Sequence, residues 1–315
     1  MTTPLSETAA NRRALEEHSI VVGVGPRGTS AGAVVWAVDQ AQRSGVEVRL
    51  VSATDGQPSP DRAGEHDLGT LARRLGVGNV TQRSEVGRPV DVLLDSLDGA
   101  DLLVVGCRSM PRTQRLLVGS TSRGVAAWSS VPVVVVPDAW IQPDLASAPV
   151  VVGVEPATSP AGEHADSPDR QVLDFAFAQA AQARVPLIVV GAFDPAWLQA
   201  WSPGDMKRAH AEARSILESR LALLQQGYPD VEVVANIVAE TAGKAITEAS
   251  HVAQLTVVGR HASPTLTGTL GSTTRAVLHH ASRPVAVVPH GRPEDLQQEL
   301  ARVRMLGERP WGPML

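Results

Sequence analysis

The sequence predicts an α/β fold made of two tandem, doubly wound parallel-sheet domains. The first observation is an internal repeat, because residues 119–137 and 271–289 are identical at eleven of 19 aligned positions. The second is the alternation of short β-branched runs, such as the four valines at 133–136, with segments of helical apolar spacing. Strands that alternate with helices indicate right-handed β-α-β crossovers and therefore a parallel sheet.

The similar order of these segments in both halves predicts a duplicated chain. We expect an N-terminal extension, a first domain, a linker, a second domain and a C-terminal helical tail, with bounds at 1–18, 19–138, 139–148, 149–290 and 291–315. The joint between the halves has mixed polarity and prolines, which is typical of connecting segments.

The elements of the first domain follow from apolar periodicity. The run IVVGV at 20–24 predicts a strand buried on both faces. Apolar residues at helical spacing predict a helix from Ser30 to a glycine stop at Gly45. The polar strand at 79–87 indicates a sheet edge, and Pro89 predicts a helix start. The remaining predicted elements are a strand at 46–53, a helix at 64–76, a strand at 101–106, a helix at 120–130 and a strand at 132–136.

The second domain repeats the alternation after a first strand at 149–154. Its predicted helices are at 168–183, 204–226, 242–251 and 271–281, and its further strands are at 185–192, 230–239, 254–259 and 284–288.

Composition excludes several classes of function. The formal net charge of −5 argues against a nucleic-acid binder, which needs a basic face for phosphates. No apolar run approaches the roughly 20 residues that cross a bilayer. The single cysteine, Cys107, excludes an intrachain disulfide and thiolate zinc clusters, and predicts a reducing cytoplasm. The nine histidines show no metal-ligand spacing, and nucleophile-elbow and Walker motifs are absent from the sequence, so we expect no catalytic residue.

The segment after each fourth strand has the residues of an anion site. A glycine lets the backbone approach a ligand, and a helix start offers free N–H groups with partial positive charge. Serine and threonine hydroxyls add donors. The candidate residues are Gly106, Ser109, Gly119, Ser120 and Thr121 in the first half and Gly259, Ala262, Gly271, Ser272 and Thr273 in the second. The alternative interpretation is that Ser120 and Ser272 are ordinary helix N-caps.

Basic residues accompany both segments. They are Arg108, Arg112 and Arg115 in the first, Arg260 and His261 in the second, and Arg123 and Arg275 inside the following helices.

A cation beside Cys107 leaves a redox role open, although most single cysteines are inert. The run GVGPRG at 23–28 resembles a dinucleotide motif, but the second half lacks its glycines.

Together these motifs resemble the universal stress protein family. Its marks are a Val-Gly-Val-Asp first strand, a Gly-x2-Gly-x9-Gly-Ser/Thr signature and a closing Pro-Val-x-Val-Val strand. The resemblance implies an adenine nucleotide alpha hydrolase-like fold with strand order 3-2-1-4-5, and ATP binding in some members. The middle glycine is Ser109 or Ala262 here, and the first-strand acid is Gly25 in the first half and Glu155 in the second.

The resemblance implies a non-enzymatic, ATP-binding stress-response regulator, with Glu155 beside the nucleoside and Mg²⁺ only as a nucleotide counter-ion. Two alternatives stay open: a ligand-free interaction module of the same fold, and a weak ATP hydrolase. The apolar fifth strands at 132–136 and 284–288 would be exposed edges. We therefore expect self-association through these edges within the chain and a homodimer, with no nucleic-acid or membrane partner.

Overall fold

A computed structural model describes most of both predicted domains. The described residues are 18–25, 30–54, 56, 62–76, 78–110, 115–138, 140, 147–155, 169–193, 202–260, 270–291, 298 and 301, with only the backbone for 62–67, 108–110, 115–117 and 203. They fall into two compact units, one containing most of the chain before Gln142 and the other containing Pro143–Gly291. Nearly all of the predicted N-terminal extension and of the predicted C-terminal tail lies outside the described residues.

The first unit contains a parallel sheet. Its strands are β1 (Ser19–Val24), β2 (Glu47–Thr54), β3 (Val80–Val86), β4 (Ala100–Met110) and β6 (Val133–Pro137), and a further short strand, β5 (Arg115–Leu117), lies between β4 and β6 in the sequence. The order β3-β2-β1-β4-β6 confirms the predicted doubly wound arrangement, since β1 lies beside both β2 and β4. The short β5 was not predicted.

Helices connect the strands of the first unit. They are α1 (Ala31–Ser44), α2 (Arg62–Arg74), α3 (Pro89–Asp95) and α4 (Ser120–Trp128). The predicted stop at Gly45 is confirmed, because this residue has φ +74 and its N–H donates to the Ala41 carbonyl. A left-handed residue of this kind ends a helix, and glycine adopts it without steric cost.

The second unit repeats the same order. Its strands are β7 (Val150–Val154), β8 (Leu187–Ala192), β9 (Val233–Val238), β10 (Leu255–Gly259) and β11 (Val285–Val288), arranged β11-β10-β7-β8-β9 and parallel. Its helices are α5 (Asp169–Ala183), α6 (Pro203–Gln225), α7 (Ala242–Ser250) and α8 (Ser272–His280). Each element overlaps its predicted range, so the prediction of two tandem α/β domains is confirmed.

Burial follows the apolar pattern of the strands. Every residue of β1 and of β6 is buried, as expected for β-branched runs inside a covered parallel sheet. By contrast, β3 is exposed at every position except the half-buried Val80, which confirms it as an edge strand. Trp36 and Trp128 lie in the core rather than at a surface. The sheets therefore provide rigid edges from which the loops and helix starts project.

Candidate functional site

The fourth strand of the first unit is longer than its sequence predicts. β4 continues through Gly106 and Cys107 to Met110, and these two residues pair with Val136 and Pro137 of β6. Ser109 is therefore a strand residue rather than a loop residue, and its φ is not positive. A side chain at this position strains no backbone, so the missing middle glycine costs the first unit no conformational energy.

The two helix starts have the same geometry, and it corrects the interpretation of their serines. Gly119 is the N-cap of α4, with φ −66 and ψ 167, and Gly271 is the N-cap of α8, with φ −58 and ψ 160. Ser120 and Ser272 are consequently the first helical residues, not the N-caps. Thr121 and Thr273 follow, half-buried, in each first turn. Glycine has no side chain to cap a helix, so neither N-cap supplies a side-chain hydrogen bond to the first-turn N–H groups, and the first helical residue of each helix carries a serine hydroxyl.

The glycine at the first helix start is not required by local packing. A Cβ atom built on Gly119 would meet no heavy atom within 4 Å, and its φ suits any residue. The space in front of α4 is therefore open. A glycine in such a place leaves room for a ligand to approach the backbone.

A hydroxyl group anchors each helix start to its fourth strand. Ser122 Oγ donates to the Gly106 carbonyl at 3.0 Å, and Thr274 Oγ1 donates to the Gly259 carbonyl at 2.8 Å. Both hydroxyl residues are buried. We did not predict this role, although the signal was present: the fourth position of the repeat carries a hydroxyl in both copies. These bonds fix the first turn of α4 and of α8 against the sheet edge.

The turn after each first strand is also held by a side chain. The Gly25 N–H donates to Ser30 Oγ at 3.0 Å, and the Glu155 N–H donates to Asp169 Oδ2 at 3.2 Å. Asp169 is buried while Glu155 is exposed. The acid predicted at the ligand edge of the second unit is thus present at the end of β7, on a fixed backbone.

A cavity of about 750 Å³ adjoins the start of α8 in the second unit. It lies between α7 and α8 near the end of β8. Its polar lining includes Thr241, Lys244, Glu248, Ser272, Thr273 and His280. Pockets of roughly 300–1,000 Å³ are the usual size of small-molecule sites. The cavity was not predicted, because it depends on how two helices pack.

The charges around this cavity are mixed. Lys244 Nζ lies 2.5 Å from Glu240 Oε2. The hydrogen bond between them raises the pKa of Lys244 and lowers the pKa of Glu240, so both stay charged over the physiological range.

Arg123 and Arg275 are exposed on their helices. Arg260 is buried and so does not extend the positive surface, and the predicted residues Arg112, His261 and Ala262 lie outside the described residues.

Cys107 is a buried strand residue, which corrects its predicted place in a loop. Only 4% of its surface is exposed. Burial, and secondarily the charge of Asp138, raises the pKa of its thiol to about 12. The thiolate is the reactive form of cysteine, so this environment opposes a redox role.

The described residues support few other functions. No group of histidine, cysteine, aspartate and glutamate side chains in them could hold a metal ion. None of their helices has the length and apolar character needed to span a membrane. In the dinucleotide-like run, Gly23 packs within β1, where an added Cβ would lie 3.0 Å from Leu93 and 3.1 Å from Val105, while Gly28 lies outside the described part.

A family comparison agrees with this geometry. The model of the universal stress protein family matches residues 17–137 and 162–289. The chain belongs to the universal stress protein family. The two matched segments carry one domain each, so it is a tandem member.

Curated relatives of similar length carry the family name. Universal stress protein Rv2005c of Mycobacterium tuberculosis is 30% identical over 296 residues, which cover 86% of this chain and 97% of the relative. Universal stress protein Rv2623 of the same organism is 29% identical over 291 residues, covering 85% and 95%.

Solved structures share the fold across both domains. A functionally unknown protein, PA1789 from Pseudomonas aeruginosa PAO1, has a TM-score of 0.66 at 17% identity and covers 93% of this chain and 99% of its own. A universal stress protein from Archaeoglobus fulgidus DSM 4304 has a TM-score of 0.65 at 19% identity, covering 87% and 98%. At identities of 17% and 19%, these similarities support a shared fold only.

Proposed function

We propose that this universal stress protein is a non-enzymatic regulator that binds adenine nucleotide, with ATP as its ligand, in the second domain. The observation that carries the proposal is the start of α8, where Ser272 and Thr273 line the cavity of about 750 Å³. Free N–H groups at a helix start, together with hydroxyl donors, suit a phosphate group.

The donor set fits the different parts of a nucleotide. The first-turn N–H groups and the Ser272 hydroxyl would hold phosphate oxygens, which only accept hydrogen bonds. The exposed Glu155 carboxylate accepts hydrogen bonds and suits ribose hydroxyls at the neighbouring strand end. The Thr274 bond to Gly259 holds the helix start in place before the ligand arrives, which lowers the entropy cost of binding.

Regulation would follow from a preference of the nucleotide for one state of the protein, because a ligand raises the population of the state that it binds better. We propose that a partner protein recognises the ATP-bound state. The predicted pairing of fifth-strand edges, the homodimer and the cytoplasmic location stay predictions.

Calorimetric titration of the full chain with ATP tests the proposal. We expect a Kd on the order of 10 µM, which corresponds to about −7 kcal/mol. Gly271→Val should abolish binding, because its side chain fills the space in front of the helix start. Glu155→Ala should weaken binding while inorganic tripolyphosphate binds as before, since the carboxylate is assigned to the ribose.

Gly119→Val in the first domain is the matched control. It changes the equivalent helix start and meets no described atom, so ATP binding in the second domain should survive. Absence of binding heat, with no nucleotide retained on purification, would favour a ligand-free interaction module. Steady ADP release that disappears in Gly271→Val would favour a hydrolase instead. Either result overturns the proposal.

A further inference from the structure

The residue that follows the helix after the first strand differs between the two domains. It is Gly45 after α1 and Arg184 after α5, and both have a left-handed backbone, with φ +74 and φ +55. In the part of the chain that the structure describes, Arg184 is the one non-glycine residue with a positive φ. This conformation costs a residue with a Cβ free energy that glycine avoids. The second domain therefore keeps an arginine where a glycine would suit the backbone better.

Strand pairing shows that the two positions are equivalent. The glycine in each first strand lies opposite Val51 of β2 in the first domain and opposite Val190 of β8 in the second. Counting back six residues from these valines gives Gly45 and Arg184. The two helices therefore end at the same place relative to their sheets, and their last turns can be compared residue by residue.

A second exchange lies three residues earlier, where α1 has Gln42 and α5 has Ala181. In the first domain, Gln42 Nε2 donates to the Leu75 carbonyl, and a Cβ on Gly76 would lie 3.2 Å from this nitrogen. The glutamine side chain thus crosses from α1 to the turn between α2 and β3. An alanine side chain is too short to cross the corresponding space in the second domain.

The second domain has a cavity of about 520 Å³ at this place. It lies between the end of α5 and the turn from α6 to β9, at the amino ends of β8 and β9. The strands are parallel, so this is the edge of the sheet opposite to the start of α8. The lining includes both exchanged residues, Ala181 and Arg184, and also Tyr228, Asp230 and Glu232.

The charged groups of this lining have opposite signs and are not paired. Among the described residues, the side chains of Arg184, Asp230 and Glu232 make no hydrogen bond or ion pair, and all three are exposed. A ligand with one sign of charge would be attracted to one part of the lining and repelled by another. A ligand that carries a carboxylate and an ammonium group finds a partner for each, because a guanidinium matches a carboxylate and a carboxylate accepts from an ammonium.

Tyr228 gives the cavity an aromatic wall. Its half-buried ring stacks on Phe177, with ring centroids 5.5 Å apart and an interplanar angle of 25°. Phe177 is fully buried and therefore holds the tyrosine ring in place. Apolar lining residues, among them Val185 and Pro186, continue this wall. A planar ring suits such a surface, because aromatic rings favour offset-stacked and edge-to-face contacts.

We propose that this cavity binds an α-amino acid with an aromatic side chain. Arg184 binds its carboxylate, Asp230 and Glu232 accept hydrogen bonds from its ammonium group, and its ring packs against Tyr228. The two exchanges then have one cause, since Ala181 leaves the space open and Arg184 supplies the partner of the carboxylate. A residue kept in a sparsely populated backbone conformation is typical of functional sites. The site is separate from the nucleotide site and does not depend on it.

Isothermal titration of the full chain with L-phenylalanine tests the proposal, and we expect a Kd on the order of 100 µM. Three smaller compounds should each bind at least about tenfold more weakly, because each lacks one of the recognised groups. The compound 3-phenylpropionate lacks the ammonium group, phenethylamine lacks the carboxylate, and glycine lacks the ring. If any of the three binds as tightly as phenylalanine, the corresponding contact does not exist and the proposal is overturned.

Arg184→Gly and Ala181→Gln introduce the residues of the first domain. Each should weaken phenylalanine binding at least about tenfold, the first by removing the carboxylate partner and the second by filling the cavity. The thermal unfolding temperature of Arg184→Gly should stay at or above the wild-type value, since glycine adopts the left-handed backbone without steric cost. Arg208→Ala is the control, because it removes an exposed arginine of α6 outside the cavity, and it should leave the Kd unchanged.

The competing explanation is that Arg184 only stabilises the end of α5, where a cation interacts favourably with the helix dipole. Absence of binding heat with phenylalanine would overturn the proposal. So would a lower unfolding temperature of Arg184→Gly together with unchanged phenylalanine binding. ATP titration of Arg184→Gly should match that of the wild type, so failure of the amino-acid site and failure of the nucleotide site can be told apart.

Discussion

The environment of Cys107 predicts a measurable dependence of stability on pH. The pKa of its thiol is raised from 9.0 to about 12 in the folded chain, first because burial removes its solvation and second because Asp138 is negatively charged. The unfolded chain therefore loses this proton at lower pH than the folded chain does. The contribution of the protonated thiol to the free energy of unfolding is therefore complete below about pH 9 and is lost as the pH rises toward 12.

The size of the effect follows from the shift. About three pKa units correspond to roughly 4 kcal/mol over the whole interval, and each pH unit above the unfolded pKa removes about 1.4 kcal/mol. Cys107→Ala is the reference, because it removes the thiol and leaves every other titrating group in place. The difference between the two free energies of unfolding therefore isolates the thiol.

Urea unfolding of both proteins at about pH 8 and about pH 10 measures this difference. We expect the advantage of the wild-type chain over Cys107→Ala to shrink by about 1.4 kcal/mol for each pH unit above about 9. Alkylation should agree, with a thiol that reacts slowly in the folded chain and rapidly in urea. A constant difference across this range, or equal alkylation rates, would refute the burial argument.

Three further substitutions test the packing and the helix ends. Gly32→Ala in α1 should destabilise the first domain by about 1–3 kcal/mol in thermal unfolding, because its Cβ would lie 2.5 Å from the Pro137 carbonyl oxygen, and this outweighs the better helix propensity of alanine. Gly45→Ala should cost about 1–2 kcal/mol in the same assay through its φ of +74 alone, since no atom lies within 4 Å of the added Cβ; no loss would contradict the left-handed cap. Ser202→Ala should cost the second domain about 1 kcal/mol in urea unfolding, because Ser202 Oγ accepts the Asp205 N–H at 3.2 Å, and Ser202→Thr should recover most of it.

The secondary structure was predictable because local signals agree with the fold. The buried run IVVGV became β1, and Gly45 ended α1 where a left-handed residue was needed. The end of β4 was not predictable in this way. Its last residues, after Gly106, lack a β-branched run, and the first of them, Cys107, pairs with Pro137 of β6, which is distant in sequence.

The helix starts that carry the candidate residues were predicted, but the contacts that hold them were not. The repeat indicated the correct helix starts, yet Ser120 was open to interpretation as an N-cap because serine favours that position. In the structure Gly119 takes the extended N-cap conformation, and the hydroxyl that matters structurally is that of Ser122. Capping preferences describe one residue at a time, whereas this anchor joins a helix to a strand.

The two copies keep one set of contacts and differ in another, and this division has a consequence for function. Hydroxyl groups bind the fourth-strand carbonyls of Gly106 and Gly259 in both domains, so selection for a stable sheet edge explains them without a ligand. The second domain adds to its anchor a first-strand acid, Glu155, and the cavity of about 750 Å³ beside α8. Nucleotide binding would therefore depend on these added features, whereas the anchors are needed for the fold in both domains.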